Sequence, residues 1–254
     1  MKGSKRTKAI LKNAVWGLCA LFFVLLFWLV CYSIIGDDTV VASPWDTVGR
    51  AFLLLGESAF WHAFFATLLR AVLAFLIAAL LAAVFALISY LYPLFLRFFT
   101  GICAILRALP TMAVLLILLV VFRRAEVPVV VGVLTLLPVL FTAYFNAFAG
   151  VDKSLVEMSK VFGVPTKKVV THLYLPSMKN TLILESVAGL SFALKLVVSA
   201  EILALVGGSI GEMLQHSSGG NAQSTATLFA LTMIICLLCT LIEWLVGLFV
   251  KEGV

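Results

Sequence analysis

Three charged residues, Lys195, Glu201 and Arg107, stand within or at the mouth of long apolar runs. A charge in the middle of a membrane helix costs about 3 kcal/mol, so such residues mark solute paths, relays or buried pairs. Six residues advance about 600° at 3.6 residues per turn, so Lys195 and Glu201 do not share a helix face. Lys195 either lines a solute path, pairs with Glu185 or Glu201, or snorkels to an interface. Arg107 and Arg70 carry the same choice between anchor and path contact, and Glu243 is placed to reach the inner interface. Other chemistry is poorly supported. His62, His172 and His216 are scattered, and no His-Glu-x-x-His, paired acidic motif or Gly-x-Ser-x-Gly occurs. Cys236 and Cys239 form a CxxC, but within Ile-Ile-Cys-Leu-Leu-Cys-Thr-Leu and without a second ligand pair. They read as small residues on one helix face, with no metal site.

The composition explains why these charges stand out. Of 254 residues, 63% are hydrophobic and 12% charged, and the mean hydropathy is +1.19. Soluble domains average about 45–50% apolar and about 25% charged. Much of this surface must therefore meet lipid. A spanning helix takes about 20 apolar residues. The chain holds six such runs, near 14–35, 63–90, 102–122, 127–149, 181–206 and 226–250. Backbone groups in hydrocarbon must be satisfied internally, which makes the runs helices and the fold all-α. A cytoplasmic segment, 1–13, precedes a single transmembrane domain, 14–254. The first run is longer than the core of a cleaved signal and lacks a clear small-x-small site.

The charge pattern orients the spans. The net charge is +6, and Lys2, Lys5, Arg6, Lys8 and Lys12 crowd the N-terminus. Beside an apolar run they mark a cytoplasmic flank rather than a nucleic-acid site. The 150–180 segment carries Lys153, Lys160, Lys167, Lys168 and Lys179, whereas 207–225 has neither Lys nor Arg. Positive loops stay inside, so both termini and the 150–180 loop are expected in the cytoplasm. Arg123 and Arg124, in a short outer turn, are outvoted. Ser43-Pro44-Trp45-Asp46 predicts a capped helix over 45–60, amphipathic through Val48, Phe52, Leu55 and Ala59. It is expected either at the outer interface or as an ordinary loop helix.

The 150–180 loop is the most informative stretch. Asp152 predicts an N-cap, and Leu155, Met158, Val161 and Phe162 an apolar face on the helix that follows. Gly163 suits the stop. Pro165 opens a second helix bearing Val169, Val170 and Leu173, and Pro176 is expected to break the chain before the fifth span. An apolar face on a polar loop calls for a docking partner or for packing on the chain's own helices.

Glu157-Met158-Ser159, three residues, Gly163, nine residues, then Leu173-Tyr174-Leu175-Pro176 resembles the EAA motif of binding-protein-dependent ABC importer permeases. That motif reads Glu-Ala-Ala, x3, Gly, x9, Ile-x-Leu-Pro. Met158 and Ser159 replace the alanines and Leu173 the isoleucine. Over roughly 44–250, Thr67-Leu-Leu-Arg70, Arg107-Ala-Leu-Pro110 and Ala200-Glu201 followed by Gly207-Gly-Ser-Ile-Gly211 resemble the branch importing nitrate, sulfonates, taurine, bicarbonate and thiamine precursors. Val121-Phe122-Arg123-Arg124 stand where that branch usually has Phe-Gly, and Leu194-Lys195 where it usually has a Trp.

The resemblance implies a type I ABC importer permease fold and a non-catalytic subunit. Its coupling loop would be Glu157, Met158, Ser159, Gly163, Leu173, Leu175 and Pro176. It also implies two cytoplasmic ATPases holding ATP and Mg, a second permease copy, an external solute-binding protein, and a small anion or organic molecule as solute. The location implied is the inner or plasma membrane. The chain itself has no Gly-x-x-x-x-Gly-Lys-Ser/Thr, so no cofactor is expected on it. A secondary transporter would show internal repeats with matching broken helices, and none is evident.

Overall fold

A computed structural model describes the backbone over residues 2–251 and the side chains over 17–244, Leu18 and Thr166 excepted. The basic N-terminal side chains from Lys2 to Lys12, and Lys251, lie outside the described side chains. In chain order the helices are α1 (Lys2–Ile35), α2 (Pro44–Gly56), α3 (Ser58–Leu91), α4 (Pro93–Ala108), α5 (Thr111–Val121) and α6 (Val127–Ala149). There follow α7 (Lys153–Val161), α8 (Thr166–Val169), a π turn (Val170–Tyr174), α9 (Leu175–Ala204), α10 (Ile210–His216) and α11 (Ala222–Lys251). No strand occurs among the described residues.

Four helices are long and apolar enough to cross a membrane: Ser58–Leu91, Val127–Ala149, Lys167–Ala204 and Ala222–Trp244. The pair α4 and α5 makes a fifth crossing if counted together, and Cys19–Ile35 is a shorter apolar helix. The expected continuous third span, 102–122, is instead two helices meeting at 93°. Pro110 is the cause. It has no N–H, and it drives Leu109 into an extended conformation (φ −71°, ψ 127°).

Two units divide the chain, residues 1–57 with 214–233 and residues 58–213 with 234–254. In the first, Gly36 ends α1 with a positive φ of 63°, as glycine does at little cost. The Trp28 indole N–H donates to the Ala42 carbonyl at 3.1 Å, and its ring stacks on Phe229 at 5.6 Å. Ser43 caps α2, accepting from the Asp46 N–H at 3.1 Å. A capped helix is therefore present, but it stops at Gly56 instead of 60, which leaves Ala59 in α3, and its buried side is Thr47, Ala51 and Leu54, while Val48, Phe52 and Leu55 are exposed. Arg50 donates to Thr227 at 2.9 Å and pairs with Glu57 at 3.0 Å. Thr39 donates through both N–H and hydroxyl to Asp37, which holds that carboxyl below its ordinary range.

In the second unit, α3, α6 and α9 form the centre. Ala71, Ala74, Ala78, Ala82 and Ala86 recur at three- and four-residue spacing along α3, and all are buried. Small side chains let helices approach closely where lipid offers no hydrophobic drive. The approach is close enough that a Cβ on Gly132 would stand 2.9 Å from the Ala74 Cβ, and one on Gly189 2.7 Å from Leu140 Cδ2. Beside this seam Leu136, Leu140, Phe141 and Tyr144 of α6 pack with Phe99 and Cys103 of α4. A second cluster joins Leu115, Val127, Val131, Ala200, Ala204 and Val206. These two clusters brace both arms of the α4–α5 bend.

Candidate functional site

The loop before α9 forms a small platform with one apolar face outward. Asp152 Oδ1 accepts from the Ser154 N–H at 2.8 Å and from its hydroxyl at 2.7 Å. Those donors hold the Asp152 carboxyl below its ordinary range, so the cap stays charged. α7 rests on the membrane helices through one side only. Val156, Leu173 and Tyr174 pack against buried Ala147, Val151 and Met178. Ser159, half-buried, donates to the Val156 carbonyl at 2.7 Å. The opposite side exposes Leu155, Met158 (53%), Val161 (84%) and Phe162 (76%). Glu157 is exposed as well. Gly163 closes the helix at φ 61°, its N–H donating to Lys160 O and that of Val164 to Ser159 O. This is the glycine stop that the spacing predicts.

The expected break at Pro176 is absent. α8, the π turn and α9 run on as one helical body from 167 to 204, with Leu175 and Pro176 exposed in the first turn of α9. A proline inside an α-helix loses a hydrogen bond and clashes with the carbonyl four residues back. The π turn relieves this by shifting the pattern, and the Leu175 N–H donates five residues back to Val170 O.

Glu201 is the most buried ionisable group in α9, at 0% exposure. Its Oε1 accepts from Arg70 at 2.8 Å, and its Oε2 accepts from the Thr67 hydroxyl at 2.8 Å and the Gly211 N–H at 3.3 Å. Thr67 in turn accepts from the Ile210 N–H at 3.0 Å. One carboxylate thus fastens α3, α9 and the start of α10. Leu205 ends α9 in the left-handed region at φ 54°, and Gly208 follows at φ 66°. A Cβ on Gly211 would overlap the Glu201 Cβ and the Ile202 N. The carboxylate is occupied by protein donors, not presented to a cavity. Sequence reasoning singled out all three side chains but did not pair them.

Lys195 is exposed on α9 and forms no ion pair among the described residues, and Glu185 and Glu243 are likewise exposed and unpaired there. Arg107 ends α4 at the bend. Its guanidinium donates to the Pro138 carbonyl at 2.6 Å and to the Thr142 hydroxyl. Cys239 is buried and its thiol contacts the Ser191 carbonyl at 3.8 Å, while Cys236 is exposed. No cluster of three or more metal-ligating side chains occurs among the described residues.

Compared with known proteins, residues 76–252 match the model of the family described as the binding-protein-dependent transport system inner membrane component. No curated protein sequence matches. Among solved structures, the fold is similar to the MetNI methionine ABC transporter in inward-facing conformations. For its native crystal form the TM-score is 0.63 at 17% identity, covering 78% of this chain and 99% of that one. For a selenomethionine-soaked form it is 0.58 at 18% identity, covering 76% and 94%.

Proposed function

The chain belongs to the family of binding-protein-dependent transport system inner membrane components, and on that premise we propose that it is half of a solute pathway driven by two separate ATPase subunits. It is a multi-pass, non-catalytic permease of the type I ABC fold. In this reading a second copy completes the pathway, an external binding protein delivers the solute, and six spans place both termini in the cytoplasm. ATP and Mg sit on the partner ATPases. Cys19–Ile35 and the bent α4–α5 pair supply the two crossings beyond the four long helices.

The observation that carries this reading is the apolar face of α7. Leu155, Met158, Val161 and Phe162 point away from the chain's own core, while Val156 anchors the other side. An ATPase groove would cover the exposed face, and the Gly163 turn would transmit its motion to α9. The expected result for Val161→Cys, in a variant without Cys19, Cys31 and Cys236, is a short-linker cross-link to the co-expressed ATPase. In the same background Gln215→Cys should react with an impermeant maleimide in intact cells, and Lys168→Cys only after permeabilisation. External labelling at 168, or uptake that follows an ion gradient without ATP, would overturn the reading.

The solute in this reading is a small anion or organic molecule, such as a sulfonate, nitrate or thiamine precursor. Lys195 supports an anionic one. Glu201 is already held by Arg70, which leaves Lys195 as a cation without an ion pair among the described residues, able to attract a carboxylate or sulfonate. Lys195→Met should lower uptake several-fold while assembly and melting temperature stay at wild-type values. Equal loss of folded protein and uptake would instead make Lys195 structural.

A further inference from the structure

The bend between α4 and α5 lines a partly open hollow of about 170 Å³, walled by α6 and by Phe192 of α9, with Arg107 and Thr111 at its exposed side. Taking about 30 Å³ per water, this holds about six waters, or one small polyatomic ion. Arg107 lines it together with Thr111, Thr135 and Pro138. No Asp or Glu does. Arg107 belongs to no ion pair among the described residues.

The guanidinium is also fixed in place. Pro138 sits inside α6, and its carbonyl accepts from both Thr142 and one terminal nitrogen of Arg107. A guanidinium carries five N–H donors in a rigid fork. The contacts to Pro138 and Thr142 use a single nitrogen, Nη2. The other two nitrogens have no acceptor among the described residues. The Thr135 hydroxyl is committed to Val131 O at 2.9 Å, whereas the Thr111 hydroxyl has no such bond among the described residues and opens α5 at the cavity. The outcome is an unneutralised, oriented fork in an apolar-walled hollow at a broken helix.

From this we propose that the Arg107 cavity is a subsite for a small oxyanion, the carboxylate or sulfonate end of a solute, held in the bidentate geometry that a guanidinium favours. The proposal rests on the permease reading and adds to it the contact that meets the solute's negative end. A lipid phosphate offers the same chemistry, so the test separates the two sources. Thr111→Cys, again without Cys19, Cys31 and Cys236, is purified with its ATPase partner in nanodiscs of zwitterionic lipid. An anionic methanethiosulfonate should modify position 111 about tenfold faster than a cationic one, through the local positive field. Methanesulfonate should slow that reaction. Arg107→Gln should abolish both effects. Arg107→Lys should keep the reagent preference and lose most of the protection, and it serves if Arg107→Gln does not fold. Absence of methanesulfonate protection in the folded protein would overturn the proposal. So would protection that appears only when anionic lipid is added, which makes Arg107 a headgroup anchor. ATP-driven uptake by the unsubstituted chain reports on the permease reading independently.

Discussion

Arg70→Met is expected to destabilise the folded chain by about 3–5 kcal/mol, the typical cost of leaving one buried partner of an ion pair alone. The asymmetry of the pair sets the direction. Arg70 retains 19% side-chain exposure, whereas Glu201 retains none. Removing the arginine strands a carboxylate that no solvent reaches. Removing the glutamate strands a guanidinium that still meets solvent or a headgroup, so Glu201→Gln alone should cost less. The double variant Arg70→Met with Glu201→Gln should regain much of the loss. The neutral amide oxygen still accepts from Thr67 and from the Gly211 N–H, and no lone charge is left. Thiol-reactive thermal unfolding in detergent would order the three proteins. If Arg70→Met melts with the wild type, the pair has no structural weight. If the double variant is worse than Arg70→Met, the carboxylate serves through its charge, not its hydrogen bonds.

For Gly163→Leu the expected result is the reverse kind of loss: a normally inserted, normally stable chain whose ATP-driven uptake falls by more than about tenfold. A side chain at φ 61° costs about 1–2 kcal/mol through the backbone alone. Nothing lies within 4 Å of a Cβ built there, so the strain has no packing component and stays local. The turn relieves it by leaving the left-handed region. That motion breaks the Val164-to-Ser159 bond and re-aims Val161 and Phe162, the most exposed part of the docking face. Gly163→Asn is the informative control, because asparagine tolerates this region. It should keep most of the uptake. Wild-type uptake by Gly163→Leu, measured in proteoliposomes with ATP enclosed, would remove the coupling role from this turn.

The loop was legible in the sequence because its signals are local. An Asp at the cap, apolar residues at three- and four-residue spacing and a Gly at the stop each act within one turn of the chain. The structure reproduces all three at Asp152, Met158 and Gly163. Pro110 and Pro176 were visible too, but their outcomes were not. Both lack an N–H, yet Pro110 ends a helix at 93° and Pro176 is absorbed by a π turn. What differs is the packing around each. The arms of the first bend are held by separate clusters around Phe99 and Leu115. Tyr174, in the π turn, packs beside Met178, just past the proline, in one cluster.

Composition and periodicity by themselves determined that this chain is all-helical and lives in lipid, because those properties depend on average polarity and on one helical turn at a time. Tertiary structure alone decided which charges meet. Arg70 and Glu201 are 131 positions apart; in the sequence Arg70 read as an anchor or a path contact, and Glu201 as a path residue or a partner of Lys195. Their pairing depends on how α3 and α9 approach along a stripe of alanines, a close packing that sequence spacing permits but does not specify. Among the described residues the same packing leaves Lys195 and Arg107 without a carboxylate, since a side chain's partner is set by the crossing of helices rather than by its own surroundings in the chain.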